Sequence, residues 1–184
     1  MKLSPLPVLV IGALLLALGF WAGTWMSGSD PEKQPAARRS LPAEDDRERV
    51  YLYFIDASDQ YLFTETRDML LRGSPGEKTR SIFEALAAGP VGEGASPLPE
   101  DSQLLAVYMD GDMVVLNLHP AIRDNHPGGS HAELYTIYAL VNSLVINVPE
   151  IRKVKLLIAG QEQDTLAGHI DIRHPLTANM MIVR

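Results

Sequence analysis

The sequence predicts an α+β fold: a mainly antiparallel sheet with two principal helices on one face, preceded by an N-terminal transmembrane helix. Three observations carry that prediction. Two apolar runs, residues 104–109 and 113–118, flank Asp110-Gly111-Asp112. An Asp-Gly between such runs favours a hairpin, because glycine takes positive φ at little cost. Residues 77–88 and 130–147 repeat apolar side chains at helical spacing. Residues 6–26 are almost unbroken apolar sequence, and about 20 such residues cross a hydrocarbon core as a helix.

The elements follow in chain order. Trp21 and Trp25 fall toward the outer end of the apolar span, where indoles favour the membrane interface. Lys2 precedes the span while Asp30 and Glu32 follow it, which favours a cytoplasmic N-terminus. A cleaved signal peptide is the competing reading, but the run is long for one and no clean Ala-x-Ala site follows it. The expectation is therefore an uncleaved signal anchor over residues 1–27. Residues 28–49 carry Pro31, Pro35 and Pro42 with many charges and few large apolar groups, so they read as a flexible, extended linker. The remaining unit, residues 50–184, is large enough to fold on its hydrophobic core alone.

Within that unit, Val50-Tyr51-Leu52-Tyr53-Phe54-Ile55 is a β-branched and aromatic strand. After the turn-rich Asp56-Ala57-Ser58-Asp59, residues 61–71 read as a second strand of the same hairpin, ended by Gly73-Ser74-Pro75-Gly76. A helix over 77–88 places Ile82, Phe83, Leu86 and Ala87 on one face, with Glu77 at its positive dipole end and Gly89-Pro90 closing it. The Asp-Gly hairpin follows a Gly- and Pro-rich loop. Ser130-His131-Ala132-Glu133 has the Ser-x-x-Glu pattern of a capping box and opens the second helix, which Pro149 stops. Residues 153–158 form the next strand, and 170–172 a short last one. The crossovers after each helix leave open which strands run parallel.

Composition excludes several functions. The chain has no cysteine, which removes disulfide and thiol chemistry, Cys-based zinc sites and a lipoprotein cleavage site. Its net charge of −7 argues against nucleic acid or anionic lipid as main partners. No Gly-x-Ser-x-Gly or His-Glu-x-x-His occurs. Asp124, His126, His131 and Glu133 are the one cluster to weigh for a metal, and a polar loop with a helix start explains them as well. Gly128-Gly129 before a capped helix is a weak motif for an anion. His169 reads as a histidine bonded to nearby backbone in preference to a catalytic base. No cofactor, metal or catalytic residue is expected.

The block from 140 to 176 has one further property. Its helix run Leu140-Val141-Asn142-Ser143-Leu144, its Val148-Pro149 stop and its strand from Val154 to Gly160 lead into Thr165-Leu166-Ala167-Gly168-His169-Ile170-Asp171 and Pro175-Leu176. Together these resemble the C-terminal part of the GerM-type (GerMN) domain of sporulation and spore-germination proteins. Ala88-Gly89-Pro90 and Leu98-Pro99-Glu100-Asp101 resemble the same family. The resemblance spans roughly residues 50–176 and implies a single-copy, non-catalytic binding or assembly module of the cell envelope. The expected partners are envelope or membrane proteins, with peptidoglycan as a second class, and residues 6–26 hold the inner membrane. Binding candidates are Asn142 and Ser143 on the matching helix, the basic group Arg152, Lys153 and Lys155, and His169. Asn142 and Ser143 point away from the Ile137–Val141–Leu144 stripe, so a solvated helix face is their default environment. Two alternatives stand beside this reading. One is an envelope hydrolase using His169 with Asp171 or Asp164, and the other a small-ligand domain with a dry, enclosed pocket near Gly128 and Gly129.

Overall fold

The structure is a computed structural model that describes residues 47–184. The expected anchor, and the linker up to residue 46, lie outside the described residues. Among the described residues no helix is long and apolar enough to cross a membrane.

β1 (Glu48–Ile55) and β2 (Leu62–Met69) form an antiparallel hairpin in continuous register from Glu48↔Met69 to Ile55↔Leu62. The strand thus begins two residues before the expected linker boundary, because Glu48 and Arg49 already pair with Met69 and Asp68. Its turn is built on Asp56, whose carboxylate accepts the backbone N–H groups of Ser58, Gln60 and Tyr61. Burial of that carboxylate acts upward on its pKa, but these donors and the Ser58 hydroxyl outweigh it and hold the pKa at about 2.

α1 (Pro75–Ala87) starts earlier than its apolar spacing suggests. Ser74 and Glu77 form a reciprocal capping box with Pro75 at the first helical position, so residues read as a strand-ending turn are a helix start. β3 (Leu104–Asp110) and β4 (Met113–Leu118) make the expected hairpin, with Gly111 at φ 59°. After a short helix, α2 (Ala121–Asp124), comes α3 (Ser130–Asn147), and then β5 (Lys153–Ile158), which pairs parallel with β4.

Two differences from the expected single sheet follow. The strands form a two-stranded sheet, β1-β2, and a separate three-stranded mixed sheet, β3-β4-β5. Residues 170–172 form no ladder strand; Thr165 and Asp171 make one isolated bridge, and Leu176 bridges β5 at Val154.

α3 packs on β1 and β5, and α1 packs on β3, β1 and α3. The main core that results joins Leu52 and Phe54 of β1 and Leu116 of β4 to Leu86 of α1 and Leu140 and Leu144 of α3, and a smaller cluster gathers Tyr53, Ile55, Leu62, Tyr135 and Ala139. Each leucine or phenylalanine of the main core contributes about 1.5–3 kcal/mol on burial.

A groove built on a buried glutamate

α3 is buried on most of its circumference, and the polar residues among its buried positions are Glu133, Thr136, Asn142 and Ser143. Glu133 sits four residues before Ile137 and so continues the apolar stripe inward. Its side chain is fully buried, and a buried carboxylate is costly unless its lone pairs are satisfied. Here Oε1 accepts the N–H groups of Ala167 (2.9 Å) and Ile170 (3.0 Å), and Oε2 accepts that of His169 (2.8 Å). Burial alone would raise its pKa, but these three donors and the His169 ring together lower it. An ionised carboxylate only accepts, so His169 Nδ1, 3.2 Å from Oε2, carries a proton.

This arrangement replaces the expected capping box at Ser130. The N-cap of α3 is Gly129, at φ 87°, with no side-chain cap, because the carboxylate that would close the box is turned into the protein to hold residues 167–170.

His126 builds the opposite wall. Its Nδ1 accepts the Gly128 N–H at 3.0 Å, so its proton is on Nε2, which donates to Thr136 Oγ1 at 3.1 Å. The Thr136 hydroxyl in turn donates to the Pro97 carbonyl at 2.6 Å. Burial lowers the His126 pKa and outweighs the upward pull of the Glu133 charge. Between the two walls lies a polar groove of about 400 Å³, open to solvent, bordered by Arg123, His126 and Gly128 on one side and residues 163–168 on the other. It lies beside Gly128 as the ligand alternative requires, but it is neither dry nor enclosed.

The other sequence candidates fall into place around this frame. Asn142 and Ser143 are fully buried, contrary to the solvated face expected for them. Ser143 Oγ accepts the Tyr53 N–H at 3.2 Å, and Asn147 bonds both the N–H and the carbonyl of Tyr51, so α3 side chains close the outer edge of β1. The Asn142 amide bonds both backbone groups of Asn179 at 2.9 and 2.8 Å, tying down the C-terminal segment. These two residues serve the fold and are not surface contacts. The basic trio also divides. Arg152 and Lys153 are exposed, whereas Lys155 is buried, with its ammonium on the Arg173 carbonyl and 3.0 Å from Glu162.

Among the described residues no three His, Asp or Glu side chains converge as metal ligands. Asp124 pairs with Arg123 at 2.9 Å, and His131 lies against the Tyr135 ring. Asp171 is bound by Arg173, which holds its pKa at about 2, and the carboxylate beside His169 is Glu133 instead of Asp171 or Asp164. No hydroxyl among the described residues hydrogen-bonds to His169 in the manner of an activated nucleophile.

A β-hairpin, a helix, a second hairpin and a long helix crossing to a parallel strand make up this frame, and its sequence matches the profile described as "Germane: Sporulation and spore germination" over residues 51–164. The chain belongs to that family. The Germane match stops short of the residues that Glu133 holds, at 167–170. Its fold is similar to that of a candidate lipoprotein from Clostridium perfringens, at 26% identity and TM-score 0.53, covering 72% of this chain and 89% of that one. It is also similar to the first GerMN domain of the sporulation protein GerM from Bacillus subtilis, at 20% identity and TM-score 0.58, covering 71% and 97%. Against the tandem GerMN domains of the same protein the score and identity are equal, and this chain covers 46% of that structure. No curated protein sequence matches.

Proposed function

We propose that this Germane-family chain is a non-catalytic binding and assembly module of the bacterial cell envelope. Residues 6–26 anchor it once in the cytoplasmic membrane, and its folded domain faces outward. The observation that carries the non-catalytic part is how the buried polar groups are used. Glu133, buried behind the groove, and His126, on its wall, both have their hydrogen-bonding atoms taken up by the fold. What remains outward is surface, including the groove and the exposed pair Arg152 and Lys153. The similarity to a candidate lipoprotein supports an envelope setting. The partners are envelope or membrane proteins, with peptidoglycan as the second class.

Photo-crosslinking from Arg152 and from Arg123 in native membranes, followed by mass spectrometry, tests the partner. Recovery of a discrete envelope protein is expected. If His169→Ala abolishes cell-wall turnover while the domain stays folded, the non-catalytic reading is overturned. The anchor is tested separately, since full-length protein should resist carbonate extraction from membranes.

The groove beside Gly128 favours a second reading, a site for a small polar envelope metabolite. A ligand selective for the folded state must raise its stability, so thermal scans without any shift across such metabolites would remove that reading.

A further inference from the structure

The two sheets have four outer strand edges, and they are not treated alike. The edge of β1 is closed by Asn147 at Tyr51, by Ser143 at Tyr53 and by Ala95 at Ile55. That of β5 is closed by Leu176 at Val154 and by Gln161 at Ile158. β2 has the Arg184 N–H on Leu62 and Arg47 on Asp68, and its middle is polar, Thr64-Glu65-Thr66. On β3, among the described residues, the Arg80 guanidinium reaching the Leu104 carbonyl is the sole bond on the side away from β4. The same strand carries Leu105, Tyr108 and Met109 among the exposed large apolar side chains; it has no proline or lysine, its ladder register shifts only between Leu104 and Ala106, and α1 packs on it.

Its sequence is also self-complementary. An antiparallel pairing of two copies centred on Val107 sets Met109 opposite Leu105, both exposed and apolar, and Tyr108 opposite the small Ala106. Beyond Leu105, where the register of β3 shifts, Asp110 comes to the end of the strand at which the exposed Arg80 of the other copy reaches the Leu104 carbonyl. A parallel pairing would set Asp110 against Asp110. Charge and side-chain size therefore both select the antiparallel arrangement and a second copy as the occupant. We propose that the free edge of β3 pairs antiparallel with β3 of a second copy of this chain about a two-fold axis at Val107.

The chain has no cysteine, so introduced thiols report without background. Single cysteines at 105, 106, 107, 108 and 109 are placed in the full chain in its membrane and oxidised. Partners across an antiparallel ladder lie about 4.5–5.5 Å apart at Cα, within disulfide reach. Val107→Cys should give roughly tenfold more disulfide dimer than Thr66→Cys on β2, falling off on both sides of 107 as expected of distances growing away from the axis. Adding Met109→Lys should suppress that dimer. If Val107→Cys fails to fold, tagged copies bearing Ala106→Cys and Tyr108→Cys are co-expressed, and the mixed dimer should exceed both self-dimers. Dimer no greater than at Thr66, a flat profile along β3, self-dimers equal to the mixed one, or an adduct with a different protein would each overturn the proposal.

Discussion

Glu133 carries more of the domain's stability than its position in a sequence motif suggests. Replacing it by Gln keeps the size but removes the charge and sets an amide N–H₂ against backbone donors. Glu133→Gln should cost about 1–3 kcal/mol in urea unfolding, with faster amide exchange at Ala167, His169 and Ile170. Its pKa is lowered from 4.5, so its contribution is complete above that value and is lost as pH falls through the lower folded value. His126 is lowered from 6.5, so the unfolded chain binds the proton first and stability declines as pH drops below about 6.5. The urea midpoint should therefore fall in two stages as pH drops, the first below about 6.5 and the second below about 4.5, and His126→Gln should flatten the first. Thr79 in α1 is the reverse case, a fully buried hydroxyl with no hydrogen-bond partner among the described residues. Thr79→Val keeps the shape and should stabilise by roughly 1 kcal/mol, read in the same titration.

At the level of elements, α3 differs from an ordinary amphipathic helix because one side of it closes a sheet edge. Ser143→Ala leaves the buried Tyr53 N–H without an acceptor, an expected loss of about 1–3 kcal/mol with raised exchange at that amide. Apolar spacing gives the extent of this helix but not the environment of its polar side. Helical spacing identifies which positions are apolar, but it does not tell a polar residue facing water from one facing the backbone of a strand ninety positions away in the chain. Glu133 departs from its local pattern for a similar reason. Ser130-x-x-Glu133 satisfies a local pattern, while the groups that claim the carboxylate lie more than thirty residues later. A signal was present, since Glu133 falls on the same stripe as Ile137 and Leu144. The capping box that does form, Ser74 with Glu77, was hidden by Pro75 and Gly76, which read as a turn although proline suits a first helical position.

Across the whole domain, both sheets share one core, so they should unfold together. Far-UV and near-UV signals are expected to give coincident transitions in urea. The C-terminal residues belong to that unit through Asn142 and through Ile182 and Val183, which pack beside Tyr53 and Tyr135. Truncation after Ala178 should lower stability by about 1–3 kcal/mol for the stranded Asn142 amide alone, measured against the full domain. The α+β class, the hairpin at Asp110-Gly111 and the two long helices are legible in the sequence because each rests on local spacing or turn chemistry, and the family is legible because the residues from 140 to 176 resemble its motifs. Only the tertiary structure decided that the strands split into two sheets, that β4 and β5 run parallel, and that Asn142, Ser143, Lys155 and Glu133 turn inward. Those outcomes depend on which distant backbone groups need partners once the chain has closed, and pairing between distant segments leaves no periodic trace in the sequence.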